Sequence, residues 1–103
     1  MKFSEKCYAL LKKVPRGKLT TYKEIAKALK SRAYRVVGRA MKNNPYAPDV
    51  PCHRVICSDG RIGGYMGKKR KNILEKINLL ESEGVEIRDN KINLARYLYK
   101  FKS

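Results

Sequence analysis

The chain has 103 residues, enough for one compact domain with a modest core, and 43% of them are apolar. Its charge is unusual: 25 Lys and Arg stand against 9 Asp and Glu, a formal net charge of +16 that favours a polyanionic partner, nucleic acid first. A membrane is disfavoured, because there is no long apolar segment or lipidation signal and the start, MKFSEKCYALLKKV, lacks the apolar core of a signal peptide.

Phe3, Cys7, Leu10, Leu11 and Val14 recur at helical spacing and predict an amphipathic first helix. VPRGKL ends it: Pro15 disfavours helical geometry at Val14, and Gly17 permits a turn. TTYKEIAKAL starts a second helix, with Thr21 and Glu24 matching a capping box and Ile25, Ala28 and Leu29 forming its apolar face. After a break at KSR, AYRVVGRAMKN reads as a third helix. Arg32, Arg35, Arg39 and Lys42 then share about 80° of arc at roughly 100° per residue. Ala33, Val37, Ala40 and Met41 lie on the other side. Two short helices with a basic outer stripe on the second read as a helix-turn-helix; an ordinary helical hairpin with a solvated charged face would look the same.

NNPYAPDVPCHRVI is too proline-rich for a helix and is expected to be an ordered loop. RVICSDGRIGGY predicts a small hairpin or loop, and Gly63, Gly64 and Gly67 could let backbone approach a ligand. Ile73, Leu74, Ile77 and Leu80 mark a helix from about Lys69 to Glu83, ended by Gly84. VEIRDNKIN predicts a hairpin turning at Asp89–Asn90, and LARYLYKF a short terminal helix or turn. The expected fold over residues 1–103 is a single domain, mainly α with short β hairpins, of helix-turn-helix or winged-helix-like type.

The chemistry concentrates at PCHRVI, where the only histidine, His53, stands between Cys52 and Arg54. A thiol is a strong nucleophile as its thiolate, and a neighbouring imidazole can take the proton directly or through water. Pro51 stiffens the turn that would let adjacent residues share one site, and Arg54 is expected to lower the thiol pKa. A buried cysteine beside a structural histidine is the plainer reading of this pair. Cys7, Cys52 and Cys57 form no C-x-x-C pair, so reduced thiols in an intracellular protein are expected, cytoplasmic or, in a eukaryote, nuclear. Cys57 is expected to pack as a small apolar side chain.

The longer string decides between these readings. PCHRVI, preceded by NNPYAPDV and followed by CSDGRIGGYMG and LLESEG, closely resembles the O6-alkylguanine-DNA alkyltransferases. So does VPRGKLTTYKEIAKAL followed by YRVVGRAM, and the likeness runs from about Tyr8 to Gly84. The resemblance implies that Cys52 accepts an alkyl group irreversibly from O6 of a damaged guanine. It makes His53 the base, acting through a water, Glu83 the carboxylate that orients it, and Asn44 the residue that holds the active-site turn. Tyr22 would donate a proton to the leaving guanine, and Arg35 would fill the place of the flipped nucleotide. Tyr65, Met66 and Val55 would line the substrate pocket. Double-stranded DNA carrying O6-alkylguanine is the implied partner, bound through its minor groove by a monomer, with Gly38 allowing close approach and Arg32, Arg39 and Lys42 on phosphates. No cofactor or metal is implied.

The sequence departs from the family pattern in three ways. The family's usual N-terminal domain is expected to be absent, and with it the zinc that some members carry. The turn KALKSRAYR is short and lacks a frequent Gly-Asn/Arg-Pro turn, and Met66 stands where many members have Ser. The ending EGVEIRDNKINLARYLY resembles the alkyltransferase-like proteins, which bind alkylated guanine and signal to excision repair without transferring anything. Those typically carry Trp in place of the cysteine, whereas this chain keeps Cys52 and contains no Trp. Two alternatives follow: a non-catalytic lesion sensor, and a helix-turn-helix transcription factor, which needs no Cys-His-Glu set. A cysteine hydrolase would leave the charge unexplained.

Overall fold

The structure, a computed structural model, describes residues 2–65 and 69–101. Its elements run α1 (Phe3–Leu11), β1 (Thr20–Thr21), α2 (Tyr22–Ala28), α3 (Tyr34–Lys42), a 3-10 turn (Cys52–Arg54), β2 (Val55–Ile56), α4 (Arg70–Ser82) and α5 (Leu94–Tyr97). α1 buries Cys7, Tyr8 and Leu11, residues spaced to share one helical face. The capping expectation at α2 holds, since the Thr21 hydroxyl accepts from the Glu24 N–H at 3.1 Å.

α2 is rotated from its expected orientation: Ile25 and Ala26 are buried, and Ala28 is exposed. With Tyr22 and Leu29 half-buried, the inward set is i, i+3, i+4 and i+7. α3 buries Val37, Ala40 and Met41 as expected and packs against α1 and α2, completing the helix-turn-helix.

The connection between α2 and α3 changes the reading of Arg32. Lys30 adopts φ +56°, the Ser31 hydroxyl accepts from Ala33 N–H at 3.0 Å, and Tyr34 N–H reaches the Arg32 carbonyl at 2.9 Å. This turn consumes residues 30–33, so Arg32 stands before α3 and the helical step does not fix its direction.

The β structure is only partly as expected. Thr20 and Thr21 pair in parallel with Val55 and Ile56, joining segments far apart in sequence instead of forming a hairpin. Local turn chemistry could not announce such a pairing. The hairpin at Asp89–Asn90 is present: these residues take φ +51° and +60°, and Arg88 and Lys91 exchange both backbone hydrogen bonds at 3.0 and 2.9 Å. α4 ends in a Schellman pattern, Val85 N–H to Leu80 carbonyl and Gly84 N–H to Glu81 carbonyl, at Gly84 with φ +89°.

The side chains form two cores. The larger gathers α1, α2 and α3 with Val50, Cys52, Val55 and Tyr65; the smaller gathers Leu19, Ile56, Ile62, Leu80, Val85, Ile92 and Tyr97. Successive strand residues point to opposite faces, so Val55 seals one core and Ile56 the other. The Cys52–Arg54 turn therefore sits at the seam between the cores, with α4 packed across it.

Candidate active site

Three backbone hydrogen bonds wind the turn that carries the thiol and the imidazole. Cys52 N–H reaches the Val50 carbonyl at 2.8 Å, Arg54 N–H the Pro51 carbonyl at 2.9 Å, and Val50 N–H the Tyr46 carbonyl at 3.0 Å. Asn44, 1% exposed, staples the approach: its Nδ2 donates to the Val50 carbonyl at 2.8 Å, and its Oδ1 accepts from Tyr46 N–H at 3.0 Å. Its side chain also hydrogen-bonds toward the Cys52 thiol.

Glu83 reaches the turn from the C-cap of α4. His53 Nε2 lies 2.9 Å from Glu83 Oε2, and both side chains are nearly fully buried. Arg54 holds the other side of the carboxylate, with Nε to Oε1 at 2.9 Å and Nη2 to Oε2 at 2.8 Å, while its Nη1 donates to the Val14 carbonyl at 2.9 Å. With the carboxylate accepting from Nε2–H, the neutral imidazole keeps its lone pair on Nδ1, which is buried and makes no hydrogen bond to the described residues. Nδ1 is thus the basic atom of the site.

Each ionisation follows from these contacts. Burial pushes the Cys52 thiol up, opposed by the Asn44 hydrogen bond and the charge of Lys76. Arg54 is therefore a clamp on Glu83, and the expectation that it activates the thiol fails: its guanidinium is consumed by a carboxylate and a carbonyl. Burial lowers His53 more than Glu83 raises it, which keeps the imidazole neutral and able to accept a proton. Burial alone would raise the Glu83 carboxyl, but hydrogen bonds from Arg54 and His53 hold it below its ordinary value.

Lys76 was not marked by the sequence reading. It is fully buried, and its ammonium donates to the carbonyls of Val55 at 2.7 Å, Ile62 at 2.6 Å and Gly64 at 2.9 Å. It ties β2 to the loop that leads to Tyr65. Burial lowers its pKa to about 8, opposed by Cys57 and Cys52. A signal did exist: position 76 is three residues beyond Ile73 and four before Leu80, on the apolar face of α4. Leu74, expected on that face, is instead 48% exposed.

The remaining expected site residues divide into two groups. Tyr65 is buried, its ring edge-on to His53 with centroids 6.4 Å apart, and burial pushes its hydroxyl up to about 12. Tyr22 begins α2, half-buried; burial, with Cys57 and then Cys52 nearby, pushes its hydroxyl up to about 12. Val55 is fully buried in the larger core and presents its carbonyl to Lys76. Cys57 is not a core residue: it is half-exposed, and a Cβ on Gly63 (φ +72°) would meet its Sγ at 3.2 Å and the Tyr22 hydroxyl at 3.7 Å. Met66 and Gly67 lie outside the described residues.

Arg35, Arg39 and Lys42 are exposed on α3, and none makes an ion pair among the described residues. Gly38 opens a notch between them: a Cβ there would meet no protein atom within 4 Å. Arg32, also exposed, precedes the helix. The structure thus brings Cys52, His53, Glu83, Asn44 and Tyr65 together with Arg54 and Lys76, and sets the α3 cations apart on the surface.

The chain is similar to known proteins over most of its length. The methylated-DNA--protein-cysteine methyltransferase of Thermococcus sibiricus is 51% identical over 85 residues, 82% of this chain and 45% of that protein. The O6-methylguanine-DNA methyltransferase structure from Pyrococcus kodakaraensis superposes with a TM-score of 0.70 at 49% identity, over 82% of this chain and 47% of that one. S. pombe Atl1, in complex with damaged DNA containing O6-carboxymethylguanine, gives a TM-score of 0.85 at 35% identity, over 98% of this chain and 100% of that one. The chain spans about half or less of the length of the methyltransferases it matches. The DNA binding domain of 6-O-methylguanine DNA methyltransferase matches residues 2–85, and the chain belongs to that family, the O6-alkylguanine-DNA alkyltransferases.

Proposed function

We propose that this protein binds double-stranded DNA and transfers an alkyl group from O6 of guanine to its own Cys52, once per molecule. The observation that carries the reading is the buried His53–Glu83 pair, its carboxylate locked by Arg54, on the same turn as the buried Cys52 thiol. The Cys52 S–H proton passes to His53 Nδ1, directly or through water, and the imidazolium is stabilised by Glu83. The thiolate attacks the alkyl carbon, an S–C bond forms and the C–O6 bond breaks. The guanine anion takes a proton from the Tyr22 hydroxyl, which regains one from the imidazolium through water, so that His53 returns to neutral and the thiol proton is in effect passed to guanine. No step regenerates the thiol.

Cys52 is only 3% exposed, so the target nucleotide must leave the stack to reach it. In this reading Arg35 offsets the lost stacking, and Arg39 and Lys42 neutralise phosphates in the minor groove, with Gly38 allowing close approach; the exposure of these cations on α3 and the open space at Gly38 support it.

One observation favours a second reading, a lesion sensor that binds without transfer: the Atl1 superposition covers 98% of the chain, whereas the family match ends at residue 85. Intact-mass measurement after incubation with an O6-methylguanine duplex separates the two. Stoichiometric gain of one methyl supports transfer; saturable binding with unchanged mass overturns it in favour of the sensor.

A further inference from the structure

Tyr34 has no role in the scheme above, yet it is a large aromatic side chain left 47% exposed. It opens α3, immediately before Arg35, and α2 opens with Tyr22. The two first turns face each other across a cavity of about 370 Å³ lined by Tyr22, Lys23, Tyr34, Cys57 and Ser58. Tyr22 and Cys57 also flank Gly63, in the loop that Lys76 pins toward Tyr65. Cys52, His53 and Glu83 do not line this cavity; its link to them is Tyr22, whose hydroxyl lies within the electrostatic reach of Cys52, and its Tyr34 side is exposed.

The shape of guanine fixes which part of a substrate would lie there. O6 sits at one end of the purine and N9, with the deoxyribose, at the other. To bring the O6 carbon to the buried Cys52, the base must enter O6 edge first, so the sugar trails at the mouth. A base that meets Tyr22 in this orientation would bring its sugar to the Tyr34 side of the cavity that the two tyrosines share.

We infer that Tyr34 is a positioning residue whose ring packs against the deoxyribose of the extruded nucleotide, making the site select a nucleoside unit over a bare base. The inference rests on the proposed transfer to Cys52. It gives Tyr34 a task distinct from that of its neighbour. Arg35 acts only where a duplex has lost a nucleotide, whereas Tyr34 acts wherever the sugar is present. Lys23, at the same cavity, is free to meet the phosphate that follows.

Three substrates separate these tasks: free O6-benzylguanine, O6-benzyl-2′-deoxyguanosine, and a duplex containing O6-benzylguanine. Tyr34→Ala is expected to slow transfer from the nucleoside and the duplex roughly tenfold, the worth of about 50 Å² of apolar contact, and to leave the free base within about twofold. Tyr34→Phe should restore wild-type rates, and Arg35→Ala should slow the duplex alone. Equal slowing on all three substrates, slowing on the duplex alone, or no slowing would each overturn the inference. Equilibrium dialysis of base and nucleoside with Cys52→Ser protein reads the same preference without transfer. An unmodified wild type therefore overturns the proposed function, whereas loss of the nucleoside-over-base preference in Tyr34→Ala binding still tests Tyr34 by itself.

Discussion

The seam between the two cores and the outer face of α3 are both rich in charge, and they hold it in opposite ways. At the seam, His53, Arg54, Glu83 and Lys76 are buried or nearly so, and each is tied to named partners at 2.6–2.9 Å. On α3, Arg35, Arg39 and Lys42 are exposed and unpaired among the described residues. A buried charge costs too much to leave without partners, so seam residues are coupled and the loss of one strands another. An exposed charge pays little for solitude and stays available for a polyanion. Removing a charge at the seam should accordingly move chemistry and stability together, and removing Arg39 or Lys42 from α3 should move DNA affinity alone.

The largest expected effect comes from Cys52→Ser, which should abolish transfer, because oxygen is similar in size but barely ionises at neutral pH, while duplex binding stays near wild type. Cys57→Ser should retain transfer. Peptide mapping after reaction with O6-methylguanine duplex checks both; methyl on Cys57, or transfer surviving in Cys52→Ser, would sink the assignment of the acceptor.

Glu83→Gln is expected to come next, because one carboxylate serves both His53 and Arg54. The variant should lose about 3 kcal/mol of stability by stranding Arg54, and about a hundredfold in transfer rate by loosening the base. Its pH dependence has a definite sign. The folded Glu83 carboxyl lies below its ordinary 4.5, so its contribution is complete above that pH and is lost as pH falls through the folded value. His53, held below 6.5, adds a loss of the same sign, since the unfolded chain takes up a proton that the folded site resists. Urea unfolding from pH 7 to pH 3 should therefore show wild type losing more stability below 4.5 than Glu83→Gln does. Parallel curves there would show that Glu83 is not held as its contacts require.

Lys76→Met tests whether the seam needs charge or only filling. Three carbonyls lose their donor, while the cost of burying an ammonium disappears, so the net loss should be about 2 kcal/mol. Because burial lowers Lys76 to about 8 from 10.5, the wild-type contribution is complete above 10.5 and is lost as pH falls through about 8. The stability difference between wild type and variant should thus widen from pH 8 upward in chemical denaturation. A constant difference would mean that the ammonium does not titrate in the fold.

The helices were legible because their cues are local: the Thr21 cap, the Gly84 stop, and the spacing of Val37, Ala40 and Met41. The Asp89–Asn90 turn was legible for the same reason. The relay was legible only through a family resemblance, since nothing local joins His53 to a carboxylate thirty residues away. What stayed hidden was non-local: the parallel pairing of Thr20–Thr21 with Val55–Ile56, the capture of Arg54 by Glu83, and the burial of Lys76, whose type argues for the surface while its position argues for the core. Arg32 was misplaced because a helical step was extended through a turn. Tyr34 went unremarked because its meaning depends on a cavity between two helix starts.

The smallest effects belong to α3 and test the other half of the comparison. Arg39→Ala and Lys42→Ala should each weaken binding to damaged and undamaged duplex alike by only a few fold, and each should reduce the slope of log K against log salt by about 0.9. Neither should change stability by more than about 0.5 kcal/mol, because neither side chain has a partner to strand among the described residues. The double variant should give the sum of the single effects, since solvated cations with no shared partner do not couple. Arg32→Ala belongs in the same series: standing before α3, it reduces the slope only if the phosphate track extends beyond the helix. Salt titrations with both duplexes decide the point. A loss confined to damaged DNA, or a double variant far from additive, would mean that these cations read the lesion or act as a network, and the contrast between seam and surface would fall with it.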